Sequence, residues 1–195
     1  MSLFSKWKLF WTAIIALVFY AFGFSTPGSD LQQQSAIIFL AFVIGHFTMP
    51  WFKKYAFKKT IAFDMGGVVV KGDFFTEEQT PIAGTRELIE GLKDNYKVAL
   101  ATNNNALAFV PFKEKFGFAS LFDYIIVSGE IGVKKPDLKY FEKLVEATGS
   151  KPSDIIFFDD TLENVEAAKK LGIKGVVFKD PGQAKEALKA MGLRV

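Results

Sequence analysis

From Thr60 onward the sequence predicts an α/β fold: five parallel strands in one sheet with helices on both faces, preceded by a transmembrane helical hairpin. Three observations predict it. Short apolar runs alternate with amphipathic stretches after Thr60, chemistry-bearing residues stand where the strands end, and two charge-free apolar runs lie before Thr60.

The strand candidates are 60–64 (TIAFD), 97–102 (KVALAT), 124–128 (YIIVS), 154–159 (DIIFFD) and 174–178 (KGVVF). Helix candidates between and after them are 85–94, 106–116, 137–148, 162–171 and 183–191, with Pro111 disrupting the second. Strand–helix alternation of this kind builds a Rossmann-like sheet, whose chemistry collects at the carboxyl ends of the strands.

Residues 1–59 read as a membrane anchor. The runs 9–24 (LFWTAIIALVFYAFGF) and 36–52 (AIIFLAFVIGHFTMPWF) contain no charge, and flanking residues extend each toward the roughly 20 residues of a spanning helix. The connection between them lacks Lys and Arg, whereas Lys6, Lys8, Lys53, Lys54, Lys58 and Lys59 lie on the other side of both. The positive-inside rule then puts both termini in the cytoplasm, with Trp7, Trp11 and Trp51 as interfacial aromatics. A cleaved signal peptide fits less well, because no small-x-small site follows the first run. His46 and Thr12 lie inside the runs and are read as structural partners. Such a hairpin offers a surface for self-association.

Composition excludes several chemistries. The 195 residues contain no Cys, so there is no disulfide, thiolate zinc site or cysteine nucleophile. The single His excludes a His-rich metal site and leaves only His46 for a Ser-His-Asp triad. The net charge of +3 comes from the anchor, which has six lysines and one acidic residue, so nothing indicates nucleic-acid binding.

What stands at the strand ends narrows the function. Asp64-Met65-Gly66-Gly67 follows the first strand, Thr102 and three asparagines follow the second, a loop with Lys134 and Lys135 follows the third, and Asp159-Asp160 closes the fourth. Carboxylates crowded together repel unless a cation shares them, and oxygen-only ligands suit Mg²⁺. A lysine, a hydroxyl and the backbone N–H groups of a Gly-rich turn suit a phosphoryl group. The chemistry implied is Mg²⁺-assisted phosphoryl transfer, with a carboxylate placed as nucleophile.

These segments resemble the haloacid dehalogenase superfamily over 60–195, in the order FDMGGV (63–68), ALATN (99–103), GVKKPD (132–137) and FFDDTLENVEAA (157–168). The resemblance implies a HAD-like phosphatase in which Asp64 is the nucleophile that forms an aspartyl-phosphate. Mg²⁺ would be held by Asp64, the Gly66 carbonyl, Asp159 and Asp160, with Asn164 behind them. Met65, Gly66, Thr102, Asn103 and Lys135 would bind phosphate, and Lys134 would be a surface residue.

Two departures matter. The position two residues after the nucleophile, usually a general-acid Asp, is Gly66, and such an acid contributes about 10² to 10⁴ in rate. Asp73, Glu77 or a water are the substitutes open to the chain. Only 37 residues separate Asp64 from Thr102, which leaves room for a hairpin flap at 68–80 but not for a helical cap. Phe74 and Phe75 in that flap either pack beneath it or meet a membrane interface. An open site suits a large or lipid-linked phosphorylated substrate, a phospholipid or a phosphoprotein. Two functions follow from the sequence: a membrane-anchored phosphatase acting on a phosphomonoester, or a HAD-like module without turnover that serves binding or assembly at the membrane.

Overall fold

A computed structural model describes residues 58–72, 79–105, 109 and 117–195, which belong to a compact unit, Lys58–Val195. The apolar runs 9–24 and 36–52 lie outside the described residues, as do most of the expected helix 106–116, the flap tip and with it Asp73, Phe74, Phe75 and Glu77. Among the described residues no helix is long and apolar enough to cross a membrane.

In chain order the strands are β1 (Thr60–Phe63), β2 (Val70–Lys71), β3 (Thr80–Pro81), β4 (Lys97–Thr102), β5 (Tyr124–Val127), β6 (Ile155–Asp159) and β7 (Lys174–Val177). The helices are α1 (Thr85–Lys93), α2 (Ser128–Ile131), α3 (Leu138–Thr148), α4 (Leu162–Lys170) and α5 (Pro181–Ala190). Five strands form a parallel sheet in the order β5-β4-β1-β6-β7, with Thr60 beside both Lys97 and Ile155. β2 and β3 pair antiparallel, so the base of the expected flap is a two-stranded hairpin.

Alternation of side chains along β1 divides the core into two layers. Ile61 and Phe63 join Leu100, Ile156 and Phe158 under α1 and α5, which contribute Leu88, Ile89, Leu92 and Leu188. Ala62 joins Ala99, Ile126 and Phe157 under α3 and α4, where Tyr140, Phe141, Leu144 and Ala168 pack. Every residue of β1 is buried, as expected of the middle strand of a sheet covered on both faces.

Local signals account for the helix ends. Asp137 caps α3 by accepting from Lys139 N at 2.9 Å, and Gly149 ends it in the left-handed conformation at φ 61°. α5 starts at Pro181, two residues earlier than the apolar spacing suggests, because Asp180 accepts from Gln183 N at 2.8 Å and proline favours the first helical turn. The third sheet strand stops at Val127, and Ser128 opens the short α2 that the sequence reading did not include.

Candidate active site

The carboxyl edge of β1 forms a tight turn around an aspartate. Asp64 N donates to Phe158 O at 2.8 Å, which extends the β1–β6 register by one residue. The Met65 carbonyl then accepts from Val69 N at 2.9 Å and Val70 N at 3.0 Å, and Gly67 N donates to Val70 O at 2.8 Å. None of these bonds uses the N–H or C=O of Gly66, so both remain available to a ligand. Gly67 is required twice over. Its φ is +69°, and a Cβ there would lie 1.9 Å from Asp160 Oδ2.

Lys135 sits at the centre of the charged cluster. Its side chain is almost fully buried, and Nζ contacts Asp64 Oδ1 at 2.8 Å and Asp159 Oδ2 at 2.6 Å, with the Phe157 ring centroid 5.2 Å away. Asn103 holds this lysine by its backbone: Asn103 Nδ2 donates to Lys135 O at 2.9 Å, and Lys135 N donates to Asn103 Oδ1 at 2.8 Å. The exposed Lys134 beside it takes no part.

Asp159 is fully buried and heavily engaged. Besides Lys135 it accepts from Asn164 Nδ2 at 3.0 and 3.1 Å and from Thr161 N at 2.8 Å. Asp64 has fewer donors. Burial pushes its carboxyl up from 3.8 to about 6; Lys135 opposes this, and the Asp159 charge adds to it. Asp160 is exposed, accepting from Thr161 Oγ1 at 3.2 Å.

Asp64, Asp159 and Asp160 each offer an oxygen within 4.8 Å of the others. Three carboxylates against one lysine leave a net double negative charge, and an oxygen-only donor set beside the uncommitted Gly66 carbonyl suits a hard divalent cation such as Mg²⁺. Thr102 ends β4 and is 2 % exposed, yet among the described residues its hydroxyl has no partner. A buried hydroxyl without a partner is costly unless something outside the fold satisfies it. Asn103 spends its side-chain amide on Lys135, and no bond to its backbone N–H is seen among the described residues.

The structure therefore brings together Asp64, Gly66, Thr102, Asn103, Lys135, Asp159, Asp160 and Asn164 at one edge of the sheet. Met65 is buried, and its carbonyl closes the turn. Two contributors were not singled out from sequence. Tyr140, fully buried, donates to Ile126 O at 2.8 Å and lies 3.3 Å from Thr102 O, tying β4 to β5 below the site. Burial and the nearby Asp64 and Asp159 raise its phenol, which stays a neutral donor. Thr161 joins the two acidic residues through its amide and its hydroxyl. Tyr140 falls on the apolar stripe of α3 with Phe141 and Leu144, so periodicity alone marks it as core.

The chain is 35% identical over 101 residues to the sesquiterpene phosphatase astK of Aspergillus oryzae, which covers 51% of this chain and 52% of that protein. It is 41% identical over 59 residues to drimenol cyclase drtB of Aspergillus calidoustus, covering 30% of this chain and 11% of the relative. The chain thus spans about half or less of these relatives. Among solved structures, a HAD family enzyme of Bacteroides thetaiotaomicron in complex with magnesium and inorganic phosphate superimposes with a TM-score of 0.56 at 18% identity, over 63% of this chain and 95% of that one. A family model described as haloacid dehalogenase-like hydrolase matches residues 41–178, and with the five-stranded parallel sheet and the Asp64–Lys135–Asp159 cluster at its carboxyl edge, the chain belongs to that family.

Proposed function

We propose that the protein is a membrane-anchored, Mg²⁺-dependent phosphatase that acts on a phosphomonoester through an aspartyl-phosphate on Asp64. The observation that carries this reading is the buried Lys135 bridging Asp64 and Asp159, beside Asp160 and a buried Thr102 hydroxyl that lacks a partner. Further support comes from a sesquiterpene phosphatase among the relatives and from a structural neighbour that holds magnesium and phosphate.

Each residue has a role in this reading. Asp64 attacks phosphorus, forming an Oδ–P bond as the P–O bond to the leaving group breaks; water then cleaves the acyl phosphate, releasing phosphate and regenerating the carboxylate. Lys135 orients Asp64 and offsets negative charge on the transferring group. Thr102 Oγ1 and the backbone N–H groups of Gly66 and Asn103 receive phosphoryl oxygens, next to Met65. Asp64, the Gly66 carbonyl, Asp159 and Asp160 would be the oxygen donors for Mg²⁺. Asp159 belongs to the same oxygen cluster, and it also accepts from Lys135, Asn164 and Thr161, which fixes Lys135. When bound, Mg²⁺ neutralises the carboxylates and the phosphoryl oxygens.

Gly66 provides no acid for the leaving group, so turnover depends on how readily that group departs unprotonated or takes its proton from water. The hairpin formed by the runs 9–24 and 36–52 would tether the domain on the cytoplasmic side and raise the local concentration of a membrane-associated phosphorylated lipid or protein. It would also be the route to homo-oligomers.

The test is phosphate release by the full chain from an aryl phosphate and from lipid phosphates, with Mg²⁺ and with EDTA, beside Asp64→Asn. Release abolished by EDTA and by the substitution supports the phosphatase. Equal release from Asp64→Asn, or none despite bound Mg²⁺, refutes it and leaves the second reading, a binding or assembly module that Gly66 has deprived of turnover. Digestion of the domain by protease added outside intact cells would overturn the cytoplasmic placement.

A further inference from the structure

Charge in the Lys58–Val195 unit is distributed unevenly along the strand direction. All five sheet strands start at one edge and end at the other, where the candidate site lies. At the starting edge Lys59 leads into β1, and its carbonyl accepts from Lys97 N, the first residue of β4, at 3.0 Å. Lys174 opens β7 beside Ile156, and Lys151 precedes the turn into β6. Helices return to this edge, so Lys93 ends α1 and Lys170 ends α4; Lys58 Nζ reaches Asp94 O at 2.6 Å.

Against these seven lysines the same edge carries Asp94, Asp123 and Asp154. The other carboxylates near it, Glu146, Glu166 and Glu186, are each paired with a lysine of their own helix. The opposite edge holds Asp64, Asp159 and Asp160, the capping residues Asp137 and Asp180, and Glu163 in the first turn of α4, against Lys134, Lys135, Lys139 and Lys179. Helix ends explain part of the pattern, because cations favour helix C-termini and anions N-termini. Lys97 is explained the same way, since its Nζ donates to Thr148 O, the last carbonyl of α3, at 2.9 Å, but helix ends do not explain Lys59, Lys151 and Lys174, which stand just before or at strand starts.

In sequence, β1 is preceded by KKYAFKK (53–59), four lysines without an acidic residue, directly after the charge-free run 36–52. Lysines beside an apolar segment are the pattern that anionic lipid headgroups attract. We infer that the strand-starting edge of the domain lies against an anionic bilayer surface, leaving the carboxylate-lined edge turned toward the aqueous phase. Lys151, Lys170 and Lys174 are exposed and available for that contact.

This inference is independent of turnover, and its test reads no activity. The chain has no native Cys, so single cysteines report cleanly. Ser153→Cys marks the basic edge, in the turn before β6, and Leu162→Cys marks the opposite edge, at the start of α4; both positions are exposed. The full chain is placed in nanodiscs of phosphatidylcholine alone or with one-third phosphatidylserine, and labelling by a neutral polyethylene glycol maleimide is timed. We expect labelling at position 153 to slow at least about tenfold on the anionic discs and to recover in high salt, with position 162 unchanged. Lys151→Glu, Lys170→Glu and Lys174→Glu together remove the protection, whereas Lys134→Glu, Lys139→Glu and Lys179→Glu together leave it. Equal protection of both positions, protection that ignores lipid charge, or loss of protection in the second triple variant overturns the inference.

Discussion

The energetic signature of Asp64 is the most direct way to test how the site is built. Its carboxyl is pushed up from 3.8 to about 6, first by burial, with Lys135 opposing and Asp159 adding to the shift. The folded state therefore holds this proton more tightly than the unfolded chain does. Between those two values folding takes up protons, so stability is highest at acid pH and falls as pH rises through about 6. A shift of roughly two units at about 1.4 kcal/mol per unit is a loss on the order of 3 kcal/mol. Asp64→Asn removes the titration. Urea unfolding of both proteins, followed by circular dichroism in EDTA from pH 4.5 to 7.5, should show the native curve falling relative to the variant by about 2 kcal/mol, the rest of the loss lying below pH 4.5. Adding Mg²⁺ should recover stability for the native protein more at pH 7.5 than at pH 4.5, because the ion competes with the proton for the same oxygens. Parallel curves for the two proteins, or a native curve that rises with pH, would show that Asp64 is not the strained carboxylate described.

Three further outcomes follow from particular contacts. Lys135→Met strands two carboxylates, one of them fully buried, and should cost about 3 to 5 kcal/mol in urea unfolding without Mg²⁺ while removing phosphatase turnover. Gly66 has none of the left-handed backbone found at Gly67, so Gly66→Asp introduces an acid without backbone strain. It should raise kcat by about 10² to 10⁴ for alkyl phosphates and far less for p-nitrophenyl phosphate, whose leaving group departs without a proton; equal gains on both substrates would disprove the role. Gly67→Ala forces a Cβ onto Asp160 Oδ2 and should weaken Mg²⁺ binding, measured by calorimetry, as well as lower the melting temperature.

The sheet was legible in the sequence because each strand is a short apolar run bounded by turn residues, and all five lie within a residue or so of their expected bounds. The site residues were legible for a related reason: a parallel sheet delivers its strand ends to one edge, so Asp64, Thr102 and Asp159 had to be neighbours once the strands were identified. Side-chain roles that depend on geometry were not legible. Nothing in the spacing tells that Asn103 turns its amide onto the Lys135 backbone, or that Asp159 collects three donors while Asp64 is left with fewer. Tyr140 shows the limit clearly, since an aromatic on an apolar helix face looks the same in sequence whether or not its hydroxyl ties two strands together.

The paired hydrogen bonds between Asn103 and Lys135 have a consequence for how this scaffold can be altered. A carboxamide that donates to one carbonyl and accepts from the same residue's N–H imitates the pairing a neighbouring strand would offer. The loop that delivers the cation is in effect stitched to the end of β4 at two points, by the Asn103 side chain on Lys135 and by the Asn104 carbonyl, which accepts from Gly129 N at 2.9 Å and from Ser128 Oγ at 3.1 Å. Insertions or deletions between Gly129 and Lys134 fall between these two attachments and can be absorbed there, with the ammonium still arriving between Asp64 and Asp159. That segment is the natural place to graft a substrate-recognition loop, and Asn103 is the residue any such graft has to keep.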